Sequence, residues 1–237
     1  MLADAGDHQL TFGALDADLH LPDDWLNTLL AFLRPSLASW RDDAARPSET
    51  GETRLTAQLC AHLNSACRRS NWDYLQFIRE QPDEVRRERA LDLIVAPSGA
   101  TIWLEGLRHS HYDTLLPIEC KRLPTPSGRD RDPREYVYSQ FSSTGGLHRF
   151  KQGLHAAAHR RAVMIGYIQT DDVAHWCRQV GDWLTALAND LPDAWSLEDG
   201  IQLVTYDPVD RSAALRSRHA RRAPLEPITV DHLWIEM

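Results

Sequence analysis

Behind the acidic pair Asp23-Asp24, the apolar positions Trp25, Leu26, Leu29, Leu30 and Leu33 recur at steps of three and four, which predicts a short N-terminal helix. Pro35 and the polar stretch from Asp42 to Pro47 and Ser48 read as a linker. Residues 1–48 therefore form an acidic N-terminal helical extension, and 49–237 the main domain. A second stripe, Leu55, Leu59, Leu63 and Ala66, predicts an amphipathic helix from Glu52 to about Arg69. The period then shortens. Trp72 to Ile78 reads as a strand, and Arg89 to Ala96, apolar and β-branched ahead of Pro97-Ser98-Gly99, as a better one. Thr101 to Leu107 is its expected hairpin partner. Leu115 to Leu123 reads as a third strand, with Ile118 and Cys120 on the face opposite Glu119 and Lys121.

Residues 124–146 are rich in Pro, Gly, Ser and Arg and read as a mobile loop holding about one turn of helix. Leu147 to Ala158 looks helical, Arg161 to Gln169 is an apolar strand, and Asp171-Asp172 open a helix through Trp183 and Leu187. Ile201 to Tyr206 and Ile228 to Ile235 close the pattern as strands separated by a basic loop. Helices and strands in this alternation describe an α/β domain around a mixed sheet.

Composition narrows the class. The chain has 237 residues, 43% apolar and 25% charged, enough for a sizeable core and unlike a disordered or fibrous protein. No apolar run nears the roughly 18 residues that span a bilayer, and Met1-Leu-Ala-Asp-Ala-Gly-Asp7 is not ordered like a signal peptide, so a cytoplasmic protein is expected. Cys60, Cys67, Cys120 and Cys177 form no CxxC pair and read as reduced, buried thiols. The eight tryptophans read as core, and His109-Ser110-His111-Tyr112-Asp113 as a solvated loop rather than a zinc site. The net charge of −8 is uneven, with residues 1–50 carrying nine acids against Arg34, Arg41 and Arg46. The remainder is near neutral and holds its cations in clumps that could track a phosphate backbone. Of 26 cationic residues only Lys121 and Lys151 are lysines, which draws attention to both. No phosphate-binding glycine loop or GxSxG elbow is present, so nucleotide-driven and acyl-transfer chemistry have no support.

The chemistry-bearing segment is Leu91-Asp92-Leu93-Ile94-Val95, followed 27 positions after the aspartate by Glu119-Cys120-Lys121. Two acids on neighbouring strands with a lysine on the same face offer hard oxygen ligands for Mg²⁺ or Mn²⁺ and a cation for a phosphate transition state. This order, over roughly residues 49–170, resembles the PD-(D/E)xK nuclease superfamily, whose members run helix-borne glutamate, strand aspartate, strand (D/E)xK, helix, strand. The resemblance implies a restriction-endonuclease-like mixed central β-sheet flanked by helices. Asp92 and Glu119 would bind metal, Lys121 would handle the water and transition-state charge, and Glu52 would assist. Pro82-Asp83 rivals Asp92, and Glu49 rivals Glu52. Lys151, with Arg149 and Gln152 on the following helix, is placed to meet the phosphate; Gln140 is an alternative, and Arg122 sits in a basic clump next to the motif.

The implied activity is Mg²⁺-dependent hydrolysis of DNA, with Mn²⁺ as a possible substitute, in prokaryotic restriction, phage defence or repair. A homodimer is plausible because duplex cleavage takes two cuts. The other expectation is a binding or assembly subunit with little activity alone, docked on a partner through the helix bearing Trp25, Leu29 and Leu30. Neither reading involves a membrane.

Overall fold

The computed structural model describes residues 24–99, 101–104, 106–141 and 145–237, so the expected helix-start residue Asp23 and the acidic segment before it lie outside the described residues. Among the described residues two helices come first, α1 (Asp24–Arg41) and α2 (Glu52–Cys67). Strands β1 (Leu75–Pro82) and β2 (Ala90–Pro97), the short pair β3 (Ile102–Leu104) and β4 (Leu107–His109), and β5 (Leu116–Leu123) follow. Then come α3 (Gly146–Lys151), β6 (Arg161–Ile168), α4 (Val173–Asp190), β7 (Gln202–Asp207), β8 (Ser212–His219) and β9 (Ile228–Glu236).

Seven strands form one mixed sheet in the order β1-β2-β5-β6-β9-β8-β7, while β3 and β4 pair separately. Only β5–β6 and β6–β9 are parallel. The two sheet faces carry two apolar layers. Leu55, Leu59 and Leu63 of α2 and Leu29, Leu33 and Trp40 of α1 pack with Leu93, Val95, Ile118 and Cys120 on one side. Phe150 of α3 and Val180, Leu184 and Leu187 of α4 pack with Met164, Ile168 and Trp234 on the other. The chain on both sides of position 48 thus contributes to one core. No helix of the described residues is long and apolar enough to cross a membrane.

Several expectations need correction. Pro35 lies inside α1 rather than in a linker. A mid-helix proline costs about 3 kcal/mol, and the buried face that continues through Leu37, Ala38 and Trp40 offsets it. The first strand begins at Leu75, and it, not Thr101 to Leu107, is the hairpin partner of β2. The helix after the motif stops at Lys151, because Gly153 turns into the left-handed region with φ +62° and Leu225 packs over it. The basic loop contains strand β8, whose Arg216 and Arg218 point out between buried Leu215, Ser217 and His219. Residues 124–141 carry no helix, and Tyr136 and Val137 of that stretch are wholly buried. Among the cysteines Cys177 is half-buried while the other three are buried, and Trp103 is an exposed tryptophan.

Candidate functional site

Strand geometry opens the site. The β2–β5 ladder pairs Val95, Ile94 and Leu93 with Leu116, Pro117 and Ile118, and ends there. Asp92 and Glu119 are the next residues, where the main chains no longer pair. A peptide N–H left without its ladder partner must find another acceptor. The Asp92 carboxylate supplies it, with Oδ2 accepting from the Cys120 amide at 2.8 Å. The gap in the sheet and the placement of the aspartate have one cause.

Lys121 reaches into that gap. Its Nζ lies 3.1 Å from Glu52 Oε1, 3.0 Å from Glu119 Oε1 and 3.7 Å from Asp92 Oδ2, and donates to Cys120 O at 3.0 Å. Glu52 arrives from the first turn of α2, where the helix dipole favours a negative charge, and its Oε2 accepts from the Arg122 amide at 3.1 Å. Glu119 is fully buried, with Arg149 Nη1 of α3 donating to its Oε1 at 2.7 Å and His155 Nδ1 at 3.4 Å from its Oε2. Three carboxylates thus meet two cations, one short of neutrality.

The electrostatics follow from that shortfall. Burial alone would strip Lys121 of its proton, yet Glu119, Asp92 and Glu52 outweigh it and hold the ammonium charged well above the ordinary lysine range. Burial likewise opposes ionisation of Glu119, and Lys121, His155 and Arg149 override it, keeping the carboxylate ionised far below its usual pKa. Asp92 loses in the same balance. Desolvation and the Glu119 charge push it up to about 6, against Lys121. In this state the three surrounding carboxylates hold Lys121 as an ammonium.

The remaining residues singled out by sequence divide plainly. Arg149 is in the cluster, but its charge is engaged by Glu119. Arg122 borders it, with Nη1 donating to Thr50 O at 2.7 Å. Gln140 is exposed and joins the fold through its amide, donating to Asp132 Oδ2 at 3.0 Å. Glu49 pairs with Arg54. Asp83 is buried and spent on main-chain amides, those of Val85, Arg86 and Ala156, so it is no rival to Asp92. The His109–Asp113 segment is a turn in which Asp113 accepts from the Ser110 amide.

Lys151 points away from the cluster. Its buried Nζ donates to Asp199 Oδ1 and Oδ2 at 2.8 and 2.9 Å, at one end of a buried polar chain. Asp199 is bonded to His219 Nδ1 at 2.6 Å, and His219 Nε2 to Ser217 Oγ at 2.7 Å. Ser217 Oγ meets His232 Nε2 at 2.8 Å, His232 Nδ1 meets the Tyr136 hydroxyl at 2.7 Å, and Trp234 Nε1 donates to that hydroxyl at 2.7 Å. Sequence reasoning missed this chain and His155. His155 reaches Glu119 only through the turn closed by left-handed Gly153 and Ala156, which Asp83 anchors at the Ala156 amide, and no pattern in the sequence marks it.

Among the described residues no three His, Cys, Asp or Glu side chains gather on a common metal position. Magnesium asks for less, since one or two carboxylates suffice when water and phosphate oxygens complete the shell. Asp92 and Glu119 are the residues that could hold it: both are hard oxygen donors, and buried Glu119 Oε2 lacks a hydrogen-bond partner. Compared with protein-family models, with curated proteins and with solved structures, the chain matches none.

Proposed function

We propose that the protein is a metal-dependent phosphodiesterase acting on DNA, built on a restriction-endonuclease-like core formed by α2, β1, β2, β5, α3 and β6. The observation that carries this reading is the convergence of Glu52, Asp92 and Glu119 on Lys121 where β2 and β5 part. The antiparallel run β1-β2-β5 continued by parallel β6 supports it, because it sets the helix glutamate, the strand aspartate and the ExK strand in the order the resemblance implies.

Asp92 and Glu119 would hold Mg²⁺ or Mn²⁺, with Glu52 assisting. The ion supplies Lewis acidity and a more acidic water. The chain's own groups have separate tasks. Arg149 anchors Glu119 through Oε1, His155 stands 3.4 Å from the other oxygen, and Glu52 holds Lys121 in the gap. Lys121, as an ammonium, would offset the charge that grows on the phosphate oxygens as phosphorus becomes five-coordinate, and would orient a water once one of its N–H groups turns from the carboxylates. Asp92 is the least comfortable anion of the set and gains most when a second positive charge arrives. Restriction, phage defence and repair are settings the resemblance offers for such chemistry.

The test is cleavage of linear, circular and single-stranded DNA with Mg²⁺, Mn²⁺ or EDTA, comparing the parent with Lys121→Ala. Metal-dependent cutting in the parent should fall at least about a hundredfold in the variant, the cost of one well-placed transition-state charge. Cutting by Lys121→Ala at the parental rate would sink the reading.

A further inference from the structure

Most cations near the carboxylate cluster are engaged within the fold. Arg149 is bound to Glu119 and Arg122 to Thr50 O. Arg79 differs. It lines a recess of about 50 Å³ with Glu52, Thr53, Thr56, Glu80 and Asp92, and it is the one cation among the described residues of that lining. Its guanidinium donates at 2.8 Å to Glu80, the adjacent residue, with the two side chains 34% and 67% exposed. Water competes for both partners of such a pair, so the pair holds weakly.

The backbone here is also unusual. Glu80 lies in the left-handed region at φ 50°, a conformation that non-glycine residues seldom adopt. The β1–β2 ladder pairs Arg79 with Leu93 and Gln81 with Leu91, leaving Glu80 and Asp92 between them outside it. The distortion of the edge strand therefore falls directly across from the aspartate of the site. Strain of this kind persists where the surrounding fold enforces it, and it concentrates at ligand-binding positions.

Resting on the phosphodiesterase reading, we propose that Arg79 is a phosphate-binding residue of the site, which takes the phosphodiester oxygens of a nucleic-acid strand lying over Asp92 and is held by Glu80 until that strand arrives. Before a metal ion binds, three carboxylates against Lys121 and Arg149 leave one negative charge facing an approaching polyanion, and both of those cations are already engaged, so an exposed cation beside the recess favours the approach. Arginine's planar fork fits two phosphate oxygens, whereas Glu80 offers it a solvent-exposed partner that is readily exchanged.

Binding of a fluorescein-labelled DNA duplex, followed by anisotropy over a range of NaCl concentrations in EDTA and again with Ca²⁺, tests this without any need for cleavage. Arg79→Ala should bind roughly tenfold more weakly and lower the slope of log affinity against log salt by about one, the signature of one lost phosphate contact. Arg79→Lys should keep the slope, and Glu80→Ala should bind more tightly than the parent. Arg79→Ala with parental affinity and slope overturns the assignment of Arg79, while loss of cleavage in Lys121→Ala would still leave the nuclease reading standing. A parent that binds no DNA in either condition overturns both.

Discussion

Asp92 and Glu119 sit on either side of the same lysine with opposite balances. Glu119 is buried more deeply but has Arg149 and Lys121 on one oxygen, whereas Asp92 keeps about a third of its side chain exposed and has Lys121 at 3.7 Å. Asp92 is therefore the anion the fold would rather lack. Its pKa in the folded chain, about 6, exceeds the ordinary aspartate value, so the ionised form costs stability once pH rises past the unfolded value near 3.8, with the full cost reached above 6. Asp92→Asn keeps an oxygen for the Cys120 amide and cannot ionise. Allowing for solvent screening at the exposed part, it should gain ~1 kcal/mol at neutral pH, a rise in Tm of about 2–4 °C, with no gain at pH 4 and no DNA cleavage. Calorimetry at the two pH values checks this, and a variant less stable than the parent at neutral pH would contradict the charge balance. Strand alternation put Glu119 and Lys121 on one face in the sequence, while Asp92 and Glu52 were singled out by the order of elements that the PD-(D/E)xK resemblance implies. His155 was not, since its position depends on two left-handed residues after α3 rather than on any period.

At the scale of elements, α3 shows why the second lysine misled. Residues two apart on a helix point about 200° apart, so one turn cannot aim both Arg149 and Lys151 at a single target. Arg149 faces Glu119 on β5, and Lys151 faces Asp199, 48 residues further along and brought near only by the fold. The short helix is fastened on both sides, and the sequence displays one of the fastenings. Lys151→Met removes the charge while keeping the bulk, and leaves the buried Asp199 carboxylate with His219 and Ser196 but no cation. Breaking such a pair costs about 3–5 kcal/mol, so Tm should fall by roughly 10 °C or more. A Lys151→Met protein with parental Tm and weakened DNA binding would restore the phosphate role expected from sequence. Strand β8 was hidden by a related effect, because its outward arginines made a half-buried strand resemble a polar loop.

On the scale of the whole molecule, the two sheet faces are fastened differently. The face under α1 and α2 is apolar, whereas under α4 the core admits the buried line from Lys151 to Trp234. Burial lowers the pKa of His232 to about 3 and depresses His219 as well, so both are neutral in the fold. The unfolded chain protonates them below about pH 6.5, and stability must therefore fall as pH drops from that value toward 3. At pH 4.5 His232 alone accounts for ~2–3 kcal/mol, a lowering of Tm by about 5–10 °C that thermal melts of the Asp92→Asn protein, free of the opposing Asp92 contribution, would show across this range; a flat profile there would mean that one imidazole is charged in the fold.

That buried line also has a direction. An indole N–H only donates and an ionised carboxylate only accepts, so Trp234 and Asp199 fix its two ends. Every proton between them is then assigned. Tyr136 donates to His232 Nδ1, His232 Nε2–H to Ser217, Ser217 to His219 Nε2, and His219 Nδ1–H to Asp199. The two imidazoles are thereby held as opposite tautomers, and Ser217 is the switchback between them, taking a proton from one ring and lending its own to the other.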